Sequence, residues 1–348
     1  MTNRVNSLPA WDSQLDLFHG DVSPNLARLY ARLPRDQESS GDRWQGTLRG
    51  PFMQDRRTLP MTTPWLDLGP GPTLLAQALV TDPVCWSPEQ PAWYESEITL
   101  HHADKVIGSV RRTVVIRRLG DNGTRWRWDQ QLWRLTAIAA NPAGKIAAAT
   151  AAATPTKSVA ETIDWADLRR REQTLVVRQL PHDAAAQAVR WGVPLVLWLD
   201  QHSDVSWRAM VREPAVTFAV LPAGDERGEW LREHVPNIIR LERHALPPVT
   251  ESQPAARRAS WAQAVAVDAQ QLDQASAAQT EWLVSTLLPR NSSGSLHGAD
   301  SVGVQRVPLV LLRENSAVVD SVDVKPSPGR LPTAGWMMLT QELLRNPG

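Results

Sequence analysis

Three near-continuous apolar runs, TLVVRQL (174–180), VPLVLWLD (193–200) and AVTFAVLP (215–222), constrain this chain more than any other feature of it. A strand with one wet face alternates apolar and polar residues. A run that is apolar at nearly every position is buried on both faces, as a parallel strand covered by helices is. Between the first two runs, DAAAQAVRWG (183–192) reads as a helix closed by Gly192, so 174–200 is a strand–helix–strand unit. The unit repeats: EWLREHV (229–235) reads as a short helix, and NIIRLER (237–243), WAQAVAVD (261–268) and VPLVLLRE (307–314) read as further strands. An amphipathic helix is expected between the last two. Segments 174–180, 193–199 and 215–221 are expected to be adjacent and parallel, with Trp191 packed at the end of its helix against them. NSSGSLHGADSVG (291–303) is a loop by composition, and the Ala-rich tract 137–153 fits a helix and a linker equally.

Residues 10–118 have another rhythm. GTLRGPF (46–52), TLLAQALV (73–80), ESEITLHH (95–102) and SVRRTVVIRR (109–118) are short, partly alternating runs, the spacing of a β-sandwich. LDLGPGP (66–72) and DPVCWSPEQP (82–91) are loops, because proline denies them both helix and central strand. The β-rich spacing ends at Arg118, and LGDNG (119–123) is turn chemistry, which puts a module boundary between 118 and 126.

Several function classes lose their anchor. The chain carries 37 basic and 37 acidic side chains with no long basic run, which argues against nucleic acid as a partner. Cys85 is the lone cysteine, and no Cys/His spacing suits zinc. His101 and His102 are neighbours on a strand and point to opposite faces, so they hold no metal together. Neither a G-x-S-x-G elbow nor a G-x-G-x-x-G or P-loop fingerprint occurs, so no cofactor is expected. The first residues, MTNRVNSLPAWDSQLDLF, lack the apolar stretch of a secretory signal, and no run reaches the ~18 apolar residues of a spanning helix. The expectation is a cytoplasmic protein with no membrane partner. Sixteen Trp invite sugar stacking, although most of them are expected in cores.

The segment 82–120 carries a resemblance. Asp82, Pro83, Trp86, Ser87, Pro88, Glu89, Pro91 and Tyr94 match a Pro, Trp, Pro-Glu-x-Pro turn and Tyr strand. This pattern resembles the end of the immunoglobulin-like sandwich in glycoside hydrolase family two, the β-galactosidase and β-glucuronidase family. Val115, Ile116 and Arg117 stand where that family usually has Gly-x-Arg. Segment 124–142 is similar to the lead into the family's catalytic barrel, and 174–200 to its second and third barrel strands. Segment 212–226 is similar to the strand ending in Gly-Asn-Glu, and it places Pro222, Ala223 and Gly224 on those three positions. The resemblance therefore implies a multidomain β plus α/β chain: an immunoglobulin-like β-sandwich (10–118) followed by an incomplete or degenerate TIM-barrel-like (β/α) domain (124–348). Beyond residue 243 no strand ending in a lone Glu matches the family's nucleophile, and about 105 residues are few for completing a barrel of roughly 250.

A retaining glycosidase needs two carboxyls about 5–5.5 Å apart, one as acid and one as nucleophile. Gly224 supplies neither, and no catalytic residue is assigned. Asp200 and His202 follow a strand at its carboxyl end, where barrel chemistry collects, although a cap and a solvated loop residue are their plain structural readings. Arg178 needs an anion, for which Asp200 is the candidate. Trp198 and Trp207 flank the same mouth as candidate sugar platforms or as packing, and Glu226 is the candidate displaced acid. The preferred function is a non-catalytic glycosidase-like protein binding a saccharide or a protein partner. An active hydrolase using Asp200 with Glu226 or Asp268, and a scaffold without ligand, stand as alternatives.

Overall fold

The computed structural model describes residues 10–34, 42–69, 71–122, 125–139, 163–200, 207–246, 258–288, 307–314 and 335–339. Its first eight strands are β1 (Asp16–Val22), β2 (Leu26–Pro34), β3 (Asp42–Phe52), β4 (Met61–Pro64), β5 (Leu66–Asp67), β6 (Thr73–Thr81), β7 (Trp93–His102) and β8 (Lys105–Val114). They form two antiparallel sheets ordered β1-β2-β6-β5 and β4-β3-β7-β8. Period-two burial sends Ala27, Leu29, Ala31 and Leu33 of β2 inward, and Tyr94, Ile98 and Leu100 of β7 likewise, so the two sheets enclose one core. The Trp65 indole N–H donates to Ser96 Oγ at 3.0 Å, which satisfies two polar groups inside that core. Segment 82–91 forms neither strand nor helix, as its prolines require. In the Pro/Gly-rich stretch 66–72, expected to be loop throughout, Leu66 and Asp67 instead pair with β6.

A small antiparallel sheet, β11-β10-β9, occupies the region read as turn; its strands are β9 (Leu119–Asp121), β10 (Trp126–Trp128) and β11 (Gln131–Trp133). Then comes a closed parallel barrel of β12 (Leu135–Ala139), β13 (Thr174–Val177), β14 (Leu195–Trp198), β15 (Val216–Pro222), β16 (Ile239–His244), β17 (Ala264–Asp268), β18 (Leu309–Glu314) and β19 (Gly335–Leu339), in that order. β19 pairs with β12 to close it. The expected adjacency of the three apolar runs holds, with parallel pairing from β13 to β14 to β15.

The expectation of missing strands is corrected: all eight are present. The length argument assumed average units, whereas these strands run four to seven residues and the described helices four to ten. Those helices are α1 (Trp165–Arg170), α2 (His182–Trp191), α3 (Trp207–Met210), α4 (Arg227–His234), α5 (Ala269–Asp273) and α6 (Ala277–Trp282), and α6 passes into a π turn. β12 takes the first three residues of the Ala-rich tract; its remainder and the loop 291–303 lie outside the described residues. Among the described residues no helix is long and apolar enough to cross a membrane.

Alternation sorts the barrel walls. Val176, Val196, Phe218, Leu241, Ala266 and Leu312 fill the interior, while Leu175, Val177, Leu195, Leu197 and Leu221 face the helices. Trp126 is fully buried among the interior residues and meets Phe218 edge-on at 5.5 Å, so the small sheet plugs the N-terminal end. The sandwich is fastened to the barrel's flank. The Trp86 indole donates to Val189 O at 2.8 Å, and the Arg117 guanidinium donates to Val216 O and Thr217 Oγ1 at 2.8 and 2.9 Å. Trp191 is half-buried against the same core, as expected.

Candidate functional site at the C-terminal mouth of the barrel

The inward positions continue past the strand ends. Counting in twos from Val176, Val196 and Ile239 brings Arg178, Trp198, Asp200 and Arg243 to the C-terminal mouth, the end at which parallel barrels present their chemistry. The Arg178 Nε lies 3.2 Å from Asp200 Oδ2, the pairing expected from sequence. The Arg243 guanidinium covers the Trp198 ring at 4.9 Å. Burial lowers the Arg243 pKa; Asp200 partly offsets this, and Arg178 adds to it. Two guanidiniums thus share the field of one carboxylate.

Three further acids near the mouth are engaged. Arg227 grips the Asp225 carboxylate, with Nε 3.0 Å from each oxygen and Nη2 at 2.5 Å, and its Nη2 also donates to Asp200 O at 2.7 Å. Asp268 caps α5 by accepting from the backbone N–H groups of Gln270 and Gln271. Glu242 was not singled out by sequence reasoning. It points outward from β16, is 1% exposed, and accepts from Gly224 N–H at 2.9 Å and Ala259 N–H at 2.8 Å. His244 Nε2 lies 3.1 Å from its Oε2. Burial alone would push the Glu242 carboxyl up, but the bonds from His244, Gly224 and Ala259 outweigh it and hold the pKa below the ordinary carboxylate value. The signal was present in NIIRLERH: Arg240, Glu242 and His244 alternate on the face of a buried strand that normally carries apolar residues.

The other candidates divide. Trp198 is 1% exposed, and its indole N–H finds no partner among the described residues. Trp207 is 7% exposed and packs edge-on to Trp230 at 5.0 Å. A stacking platform needs an open ring face, so both are packing residues here. Glu226 stands exposed at the start of α4, with no side-chain cap bond. His202 lies outside the described residues. Gly224 turns with φ +71° after β15 and donates its N–H to Glu242; a Cβ there would meet nothing within 4 Å. β18 ends at Glu314, paired in register with Leu339. Among the described residues no group of three His, Cys, Asp or Glu could hold a metal.

The described residues thus form an antiparallel sandwich leading into a closed eight-stranded parallel barrel with charged residues at its C-terminal mouth. Comparison with solved structures bears out the resemblance at the level of fold. A beta-glycosidase from Bacteroides vulgatus superposes with a TM-score of 0.54 at 9% identity, over 88% of this chain and 38% of that one. A calcium-binding mutant of Bacteroides uniformis beta-glucuronidase 2 does so with a TM-score of 0.51 at 12% identity, over 94% of this chain and 46% of that one. This chain therefore spans less than half the length of either. No family model and no curated protein matches the sequence.

Proposed function

We propose that this chain is a non-catalytic, glycosidase-like protein that binds an acidic saccharide at the C-terminal mouth of its barrel. The observation that carries the proposal is the engagement of four carboxylates around that mouth, Glu226 being an exposed exception. Asp200 is paired with Arg178, Asp225 with Arg227 and Glu242 with His244, and Asp268 caps a helix. General acid catalysis needs a carboxyl that keeps its proton near neutrality. The Glu242 carboxyl, held by His244 and two backbone N–H groups, instead has its pKa lowered. The same mouth presents the guanidinium groups of Arg178 and Arg243 and the buried Trp198 N–H as donors to an anion. The glycosidase and glucuronidase names of the structural neighbours support a sugar, and these donors support one that bears a carboxylate.

The experiment runs an aryl-β-glycoside panel beside calorimetric titration with glucuronate and glucose. Expected are background turnover, binding of glucuronate in preference to glucose, and loss of that binding in Arg243→Gln. Turnover abolished by Glu226→Gln or Glu314→Gln would overturn the reading in favour of an active hydrolase with displaced carboxylates. Neither turnover nor binding would leave a scaffold.

A further inference from the structure

A cleft of about 610 Å³, within the ~300–1,000 Å³ of small-molecule sites, lies away from the mouth, where the sandwich meets the flank of the barrel. Leu17, Phe18, Tyr30 and Arg117 line it from the sandwich side, and Arg208, Trp230, His234 and Asn237 from α3, α4 and the loop after α4.

Its charges do not balance. Asp16 is held between Arg32 at 3.0 Å and Arg212 at 2.9 Å, Asp12 is paired with Arg112, and Glu213 is 2.8 Å from His182. The acids around the cleft are thereby used. Arg117 and Arg208 are left with no carboxylate among the described residues. Arg117 is 7% exposed and spends Nη1 on Val216 O and Thr217 Oγ1 and one Nη2 bond, at 3.5 Å, on Asn237 O. Of its five N–H donors, Nε–H and one on Nη2 remain, the side-on edge that fits a carboxylate with two parallel bonds. Burial lowers its pKa only to about 10, so it stays charged at neutral pH. Arg208 is exposed at the rim and lies over the rings of Trp207 and Trp230, 5.5 Å from each.

Aromatic rings line the cleft. Trp230 stacks on His234 at 4.3 Å with the rings 4° from parallel and carries Arg208 and Arg212 over it, and Phe18 stacks on Tyr30 at 5.5 Å with Arg32 over it. An ion desolvated in such a cleft needs a counter-charge, and aromatic walls favour an apolar body behind it. We infer that this cleft is a second binding site, for a small aromatic carboxylate whose head is held by Arg117 and Arg208 and whose ring packs against the apolar lining. The site is separate from the mouth and independent of the saccharide reading.

The test uses the whole chain and 2-naphthoate as probe, with the isosteric but neutral 2-naphthamide as control, read by calorimetry and tryptophan fluorescence. Naphthoate is expected to bind at least tenfold more tightly than the amide. Arg208→Gln, a rim substitution that leaves the core untouched, should weaken naphthoate at least fivefold. Arg243→Gln should leave it unchanged while abolishing glucuronate binding, so the two sites fail separately. Equal affinity for acid and amide, no effect of Arg208→Gln, or no naphthoate binding at millimolar concentration would each overturn the inference.

Discussion

Replacing Glu242 by Gln removes one charge and one acceptor from a site that water barely reaches. In the folded protein the carboxylate accepts from Gly224 N–H and Ala259 N–H on its two oxygens, and His244 approaches the second at 3.1 Å. An amide keeps one acceptor oxygen, so whichever way it turns at least one buried backbone N–H faces an NH2 and loses its partner. An orphaned buried donor costs about 1–3 kcal/mol, and hydrogen bonds to a charged acceptor are worth about 1 kcal/mol more each than those to a neutral one. A loss of about 3 kcal/mol is expected at pH 7, a factor of roughly 150 in the unfolding equilibrium. The pH dependence has a definite sign. The folded-state pKa of Glu242 is depressed, so its stabilisation is complete above the unfolded-state value of about 4.3 and is lost as pH falls through the lower folded value. Urea unfolding of both proteins, followed by tryptophan fluorescence at pH 7, 5 and 3.5, should show a gap that is constant between pH 7 and 5 and narrows at 3.5. Faster hydrogen exchange at Gly224 and Ala259 should locate the damage. Equal stability at pH 7, or a gap that persists undiminished at pH 3.5, would refute the argument.

Two further outcomes follow from the junction between sandwich and barrel. Gly192 closes α2 with φ +70°, and a Cβ there would sit 2.8 Å from Pro88 O, so Gly192→Ala combines left-handed strain of about 1–2 kcal/mol with a backbone clash and should lower the melting temperature; an unchanged melting temperature would contradict the docking described. Desolvation lowers the His19 pKa to about 4, against the hydrogen bond to Gly20 O and with the help of Arg117. Because a depressed histidine favours the neutral form, stability from this residue is complete above the unfolded value of about 6.5 and is lost between there and pH 4. An NMR titration should find its midpoint near 4, and a midpoint near 6.5 would show that His19 is solvated.

The sequence by itself determined the parallel strands and their order. TLVVRQL, VPLVLWLD and AVTFAVLP have no polar face to give to water, so each must be covered on both sides, and crossovers of helix length leave a parallel neighbour as the only short solution. It also determined the pairing of Arg178 with Asp200, since two inward charges at adjacent strand ends must neutralise each other. Closure was decided only in three dimensions. β12 and β19, LTAIA and GWMML, are five residues each and too short to declare themselves, yet their edges pair because a barrel leaves no backbone donor unspent. The partners of Glu242 were hidden for a related reason. A carboxyl in an apolar strand is tolerated only where backbone N–H groups from other segments converge on it, and those of Gly224 and Ala259, 18 and 17 residues away, arrive only when β15, β16 and the segment after β16 are assembled. The burial of Trp198 under Arg243 and the cleft between sandwich and barrel are likewise products of assembly, because each brings together side chains that no spacing rule along the chain connects.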